Sequence, residues 1–218
     1  MTMTTTTTTT ALLSRDAVRS LFGETMGLVG VTVGVFALGA YIGRDASGWW
    51  AFVCYILALT ALLAMNVAAQ RSEQLAVTLL FGFGLLLGLA VGPTVAYFAY
   101  TNPQAIWDAG GATALFTAGF GAIGYATRRD LSTLVRGLVW ALIALIVFGM
   151  VLVFVQIPGG SVIYAVVGLV VFAGLTMFDW QRLRKTKDIR TAPLLAASIF
   201  LDILNVLLLF LWFSGSDE

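Results

Sequence analysis

Two aspartates lie within long apolar stretches of this sequence, where ionisable groups are rare. Asp179 occurs in MFDWQRLRK and Asp202 in SIFLDILNVLLLF. A carboxylate is costly in hydrocarbon, so an acid in such a segment normally faces the protein interior and marks a path for ions or protons. We therefore predict that Asp179 and Asp202 form the functional site.

Other polar residues accompany both aspartates at helical spacing. Ser198 precedes Asp202 by four residues and Asn205 follows it by three, so the three share one helix face. Thr176 precedes Asp179 by three residues in the same way. The spacing predicts a polar face on each of two helices, with Ser198, Asn205 and Thr176 supporting the acids.

If the two carboxyl groups meet, they cannot easily both ionise in a low dielectric, so one proton is shared between them. Holding the proton permits a hydrogen bond that ties the two helices together, and losing it substitutes like-charge repulsion. A bare pair would also attract Ca²⁺ transiently, because this ion prefers oxygen ligands. The alternative for Asp179 is an interfacial acid that pairs with Arg182 or Arg184.

The residue types that are missing exclude several kinds of chemistry. Histidine is absent, which excludes histidine metal ligands, and the single Cys54 excludes an intramolecular disulfide and is predicted to be a packing residue. Lys185 and Lys187 lie outside the apolar stretches, so no buried lysine is available for a retinal Schiff base. A net charge of +1 provides no basic surface for nucleic acid. We predict no cofactor.

The elements that must position these acids are transmembrane helices. Of the 218 residues, 60% are hydrophobic and 11% charged, and the mean hydropathy is +0.96. Seven apolar runs each approach the ~20 residues that cross a bilayer. They cover about residues 26–43, 49–69, 75–100, 112–127, 135–157, 162–178 and 193–213. The predicted fold is an all-α integral membrane protein with seven transmembrane helices in the lipid bilayer.

The basic residues predict how the helices are oriented. Seven spans put eleven of the twelve basic residues on the side of the N-terminus, and Arg44 alone on the other. The positive-inside rule then predicts a cytoplasmic N-terminus and an external C-terminus. Residues 1–20, which include seven consecutive threonines, are predicted to be a disordered cytoplasmic tail, and residues 21–214 the transmembrane domain.

Glycines recur at spacings that favour close helix packing. The third run carries GxxxGxxxG at residues 84–92, and the first carries GxxxG at residues 30–34. Small residues at this spacing let helix backbones approach in a membrane. A GxGxxG match at residues 119–124 lies inside an apolar helix, without the preceding strand of a dinucleotide site, so we interpret it as coincidental.

At this point the sequence resembles the Bax inhibitor motif (TMBIM) family of seven-helix membrane proteins. YAVVGLVVFAGLTMFDWQRLRK resembles the sixth helix of that family, with its aromatic-Asp-x-Gln ending at residues 178–181. AASIFLDILNVLLLFL resembles the last helix, with Leu-Asp-x-x-Asn at residues 201–205. FGFGLLLGLAVGP and TRRDLSTLVRGL are similar to two further segments in the expected order, so the resemblance covers about residues 75–213.

The resemblance implies a pH-sensitive calcium-leak channel in a prokaryotic cell membrane. Asp179 and Asp202 would be its proton-sharing gate on the cytoplasmic side, and Ca²⁺ the permeant ion. Arg71 is the nearest match to an arginine that latches the pair in some relatives. The expected protein is a monomer and not an enzyme.

Two other classes of function are consistent with intramembrane acids. A non-conducting regulator that binds other membrane proteins, such as proteases, would use the same glycines and polar face. An intramembrane aspartyl protease would use two aspartates as general acid and base. The GxGD motif expected of that protease is absent around both aspartates, so we disfavour it.

Overall fold

Helices make up almost all of the described chain. The computed structural model describes the backbone of residues 3–46, 48–155 and 157–214, and the side chains of these ranges from residue 20 onward. The long helices are α1 Met3–Ile42, α2 Gly48–Arg71, α3 Glu73–Thr101, α4 Pro103–Ala126, α5 Ser132–Phe154, α6 Gly160–Lys185 and α7 Ala192–Ser214. Short 3₁₀ turns lie at Gly43–Asp45 and Ile189–Thr191. No strand occurs in these ranges, so the prediction of an all-α protein is confirmed.

Most of these helices are suited to a bilayer. Among the described residues, 6 helices are long and apolar enough to cross a membrane, and α4 is the long helix outside that set. At about 1.5 Å per residue, the 24 residues of α4 are also long enough to cross. Its hydropathy is reduced by Asp108, a pair of adjacent glycines and two threonines. A multi-pass architecture is therefore established, and the seventh crossing depends on α4.

Helix α4 begins about two turns earlier than its apolar run predicted. Its first residue is Pro103, and the side chain of Asn102 caps it by accepting a hydrogen bond from the backbone N–H of Ala105 at 3.2 Å. Proline and asparagine are favoured at these two positions of a helix start. The predicted start at residue 112 was wrong because hydropathy alone does not detect a polar first turn.

Helix α6 extends beyond the predicted end of its apolar run at residue 178. It continues to Lys185, and its last turn contains three basic residues. Cations are favourable near a helix C-terminus, where the helix dipole places partial negative charge. Asp179 is therefore an internal residue of a continuous helix.

The chain divides into two compact units. The first contains residues up to 93 and residues 182–198, and so includes α1, α2 and most of α3. The second contains residues 94–181 and the chain from residue 199, and so includes α4, α5, most of α6 and most of α7. Asp179 and Asp202 both belong to the second unit.

In the first unit, α1 and α3 pack backbone to backbone through glycines. A β-carbon added at Gly88 would meet the carbonyl oxygen of Phe36, and one at Gly92 would lie 2.7 Å from the carbonyl oxygen of Ala40. From the other side, a β-carbon at Gly39 would lie 2.5 Å from the carbonyl oxygen of Leu85. The prediction that the glycines of residues 84–92 allow close packing is confirmed.

The glycines of α1 that make this contact differ from those the spacing indicated. A β-carbon at Gly30 or Gly34 would have nothing within 4 Å, whereas one at Gly39, or at Gly43 in the 3₁₀ turn that follows α1, would meet the backbone of α3. The prediction for residues 30–34 was wrong. A GxxxG spacing shows which side of a helix carries small residues, but it does not show at which point along the helix a neighbouring helix crosses. Cys54, by contrast, is 2% exposed on α2, as expected of a packing residue.

The second unit has an apolar core of its own. Leu145, Phe172, Val206 and Leu209 form one buried cluster, contributed by α5, α6 and α7. A second cluster contains Phe98, Ala105, Ala109 and Leu211. Alanines and threonines of α4 are buried at intervals of four residues, so this helix presents a small-residue face to its neighbours.

The predicted division at residue 20 remains a prediction. The side chains of residues 1–19, including those of the threonine tract, lie outside the described part of the chain. The orientation of the termini relative to the membrane is likewise an expectation from charge alone.

Replacing Gly88 with alanine is expected to lower the free energy of unfolding by about 1–3 kcal/mol, because the added methyl group would overlap the backbone of α1. Gly82→Ala is a matched control on the same helix, since a β-carbon there meets nothing within 4 Å. Alanine at that site is expected to be neutral or to stabilise by up to ~1 kcal/mol. Thermal unfolding in detergent measures both, and equal stability of the two variants would contradict the packing.

Candidate functional site: an aspartate pair on two helices

The side chains of both predicted aspartates are buried in the folded chain. Asp179 is 6% exposed on α6 and Asp202 is 5% exposed on α7. Asp202 is preceded by ten residues of α7, which places it about 15 Å along the helix axis. Each lies within a segment that is long and apolar enough to cross a membrane. Burial shows that Asp179 is not a freely exposed acid, and its alternative role as an interfacial acid paired with Arg182 or Arg184 stays open.

Asp179 and Asp202 are neighbours across α6 and α7. Asp202 interacts electrostatically with Asp179, and the hydroxyl group of Thr176 lies beside the Asp202 carboxyl. This hydroxyl does not meet the geometry of a hydrogen bond, since Thr176 Oγ1 and Asp202 Oδ2 both lack a hydrogen-bond partner among the described atoms. Helices α6 and α7 therefore approach each other at these residues, and the sharing of a proton by the two carboxyl groups remains a prediction.

The local sequence explains why Thr176 and Asp179 lie on the same side of α6 and why α7 is the neighbouring helix. Thr176 and Asp179 are three residues apart on α6, so they lie within about 60° of each other around the helix axis. Only the six residues 186–191 separate the end of α6 from the start of α7. Helices joined by such a short connection run antiparallel as neighbours.

The two residues on α7 that were predicted to support Asp202 are Asn205 and Ser198. The side-chain amide of Asn205 donates a hydrogen bond to the carbonyl oxygen of Leu201 in its own helix, at 2.8 Å. Its donor group is thus directed to the backbone. Ser198 is half-buried one turn before Asp202. The supporting roles assigned to Ser198, Asn205 and Thr176 remain predictions.

Arg71 is the last residue of α2 and is exposed. It belongs to the first unit, whereas the aspartate pair belongs to the second. Its role as a latch remains a prediction.

Helix α4 approaches α6 closely beside the aspartates. A β-carbon at Gly124 would meet the backbone of Met177, with its Cα at 2.5 Å, and one at Gly121 would lie 2.6 Å from the indole of Trp180. Gly119 faces open space. Helix packing therefore accounts for two of the three glycines of the GxGxxG match, in agreement with its interpretation as a coincidence.

A cavity of about 410 Å³ is lined by residues of α4, α6 and α7. It is lined mainly by apolar and small residues, with Thr113 and Thr117 contributed by α4 and Trp180 by α6. The hydroxyl oxygens of both threonines are themselves inaccessible to solvent. The cavity surface is therefore apolar.

The pair by itself is a sparse metal site. Among the described residues, no group of three or more histidine, cysteine, aspartate or glutamate side chains is arranged to hold a metal ion. Ca²⁺ takes about six to eight oxygen ligands, so two carboxyl groups would leave most of its coordination to water. Only the transient binding predicted from the sequence is compatible with this arrangement, and it remains a prediction.

Gln181 is a buried residue that the sequence analysis did not single out as part of the site. It lies two residues after Asp179 and is 1% exposed. Its side chain makes three hydrogen bonds to the backbone of the α4–α5 connection. The available signal was its place in the aromatic-Asp-x-Gln ending of α6.

Comparison with known proteins decides the family. A family model described as inhibitor of apoptosis-promoting Bax1 matches residues 18–217. The chain belongs to the Bax inhibitor family. The resemblance noted in the sequence is thereby confirmed, and it extends over nearly the whole chain.

Relatives of this Bax inhibitor family protein occur in several bacteria. An uncharacterized protein of Deinococcus radiodurans is 28% identical over 218 residues, which cover 93% of both chains. The inner membrane protein YbhL of Escherichia coli K12 is 28% identical over 176 residues, covering 74% of this chain and 72% of YbhL. The uncharacterized protein YrjE of Lactococcus lactis is 22% identical over 218 residues, covering 92% of both.

Replacing Thr176 with valine is expected to change the infrared carbonyl-stretching band of the protonated carboxyl pair, because the hydroxyl lies beside Asp202. Valine has nearly the same shape, so the fold is retained. Asn205→Leu is the matched control on α7, since its amide bonds to its own helix, and we expect it to leave the band unchanged. An unchanged band in Thr176→Val, or a larger change in Asn205→Leu, would contradict this geometry.

Proposed function

We propose that this Bax inhibitor family protein is a pH-sensitive calcium-leak channel, gated by the proton shared between Asp179 and Asp202. The observation that carries the proposal is the burial of both carboxyl groups side by side within membrane-spanning helices. Acids in hydrocarbon are costly and are retained where ions or protons move. Ca²⁺ is the proposed permeant ion because its ligands are oxygens.

Electrostatics provides the switch. With one proton, the pair forms a charge-assisted hydrogen bond between α6 and α7, which is stronger than the bond between two neutral carboxyl groups. With no proton, the two negative charges repel each other. The singly protonated pair therefore represents the closed state, and either loss of its proton or gain of a second one loosens the contact.

The residues of α4 and α7 that neighbour the pair are uncharged, and charged residues lie nearby at the end of α6. From α4, the residues that face this part of α6 are Gly121 and Gly124, and Thr113 and Thr117 lie on the same face of α4. On α7, the neighbouring polar residue is Asn205. Charged residues begin beyond the pair, at the C-terminal end of α6 and in the α4–α5 connection; they are Arg182, Arg184, Arg128, Arg129 and Asp130.

We further propose that the chain crosses a bacterial cell membrane seven times as a monomer, with the N-terminus in the cytoplasm. The basic residues of the α2–α3, α4–α5 and α6–α7 connections support this orientation, because cytoplasmic loops are enriched in lysine and arginine. A seventh crossing by α4 is needed to bring these connections to one side. Asp179 then lies in the cytoplasmic half of α6.

Calcium influx into liposomes loaded with an indicator tests the channel over pH 5–8. We expect the flux of the wild-type protein to be lowest where the pair holds one proton, and to rise roughly fivefold or more where the hydrogen bond is weakened. Asp179→Asn and Asp202→Asn each remove the shared proton, so both are expected to abolish the pH dependence.

Asp188→Asn is the matched control for the two aspartate variants. Asp188 is exposed and caps the turn before α7, where it accepts a hydrogen bond from the backbone N–H of Arg190 at 3.0 Å. Asparagine caps equally well, so the variant should behave as wild type. If the pH dependence persists in both Asp179→Asn and Asp202→Asn, the aspartate pair is not the gate. Absence of flux at every pH would favour the non-conducting regulator.

A further inference from the structure

Gln181 makes an unusual set of contacts at the C-terminal end of α6. Its Oε1 accepts a hydrogen bond from the backbone N–H of Leu131 at 3.0 Å. Its Nε2 donates to the carbonyl oxygens of Arg129 at 2.7 Å and of Thr127 at 3.2 Å. One buried side chain thus satisfies three backbone groups within a segment of five residues, about fifty positions away in the sequence.

These backbone groups have a clear need for a partner. Thr127 is the C-terminal cap of α4, and Leu131 precedes the first residue of α5. The hydrogen bonds that Gln181 makes to these groups are partly buried. A partly buried backbone group without a partner costs free energy, so these hydrogen bonds stabilise the shape of the connection.

The contacts also determine the rotation of α6. Successive helix residues are about 100° apart, so Gln181 points about 160° away from Asp179 and about 140° away from Thr176. Holding Gln181 against the α4–α5 connection therefore turns Asp179 and Thr176 to the opposite side, where Asp202 lies. The glycine contacts of Gly121 and Gly124 allow α6 to approach closely enough for this bond to form.

We propose that Gln181 is the positioning residue of the aspartate pair: by binding the backbone of residues 127–131, it orients α6 so that Asp179 faces Asp202. The inference rests on the proposed function of the pair as a gate. It adds that the α4–α5 connection is coupled mechanically to that gate. Displacement of the connection would rotate Asp179 out of contact.

The first measurement examines the contact itself, by hydrogen–deuterium exchange of the full chain in lipid nanodiscs. In Gln181→Leu, the amide of Leu131 is expected to exchange roughly tenfold faster or more, since it loses its acceptor. Gln104→Leu is the matched control, because Gln104 is exposed and bonds to the exposed Asp108. Unchanged exchange at Leu131 in Gln181→Leu would overturn the proposal.

The second measurement examines the pair, by infrared titration of its protonated carboxyl band, which Asp202→Asn identifies. Separating Asp179 from Asp202 uncouples their titrations, so we expect the midpoint of the band to shift by about one pH unit or more in Gln181→Leu. Faster exchange at Leu131 with an unshifted band would show a purely structural role and overturn the positioning role. This readout does not require ion flux, so failure of the channel and failure of the inference are distinguishable.

Gln181→Glu provides a conditional rescue. A protonated glutamic acid can accept from Leu131 and donate to one carbonyl group, whereas an ionised one places its charge against the carbonyl oxygens of Thr127 and Arg129. We therefore expect protection of the Leu131 amide, corrected for the intrinsic exchange rate, to approach wild type at pH 5 and to be lost at pH 8. Equal protection at both pH values would contradict the hydrogen-bonding role.

Discussion

The free-energy cost of burying two carboxyl groups in hydrocarbon is the constraint on which this structure depends. A single ionised carboxylate in that environment needs a partner, and in the proposed gate Asp179 and Asp202 provide one for each other through a shared proton. Such a pair works only if two helices are held at a defined rotation and separation. The second unit therefore has to position α6 relative to α7 with little tolerance.

Close backbone packing supplies part of that precision. Lipid is as apolar as leucine, so helices in a bilayer associate through shape rather than through a hydrophobic driving force. Gly121 and Gly124 let α4 contact the backbone of α6 directly beside the aspartates, and Gly88 and Gly92 do the same between α3 and α1 in the first unit. Each contact removes the freedom of a helix to slide or rotate.

Hydrogen bonds to backbone groups at the helix ends supply the rest of the precision with which α6 is positioned. The α4–α5 connection must satisfy its N–H and C=O groups without regular secondary structure, and the Gln181 side chain does so from α6. A local requirement for hydrogen bonding thereby becomes a long-range restraint on the helix that carries Asp179. Packing, capping and the acid pair thus depend on one another within the second unit.

The sequence by itself determined that the chain is helical and spans a membrane, and it predicted that Asp179 and Asp202 form the functional site. These properties follow from hydropathy and from the cost of a charge in lipid, which act on each segment locally. The tertiary structure decided which glycines of α1 meet α3, where the amide of Asn205 is directed, and that Gln181 holds the α4–α5 connection. Residue spacing defines a face of one helix, but the neighbour that covers the face depends on where two helices cross, which no single segment encodes.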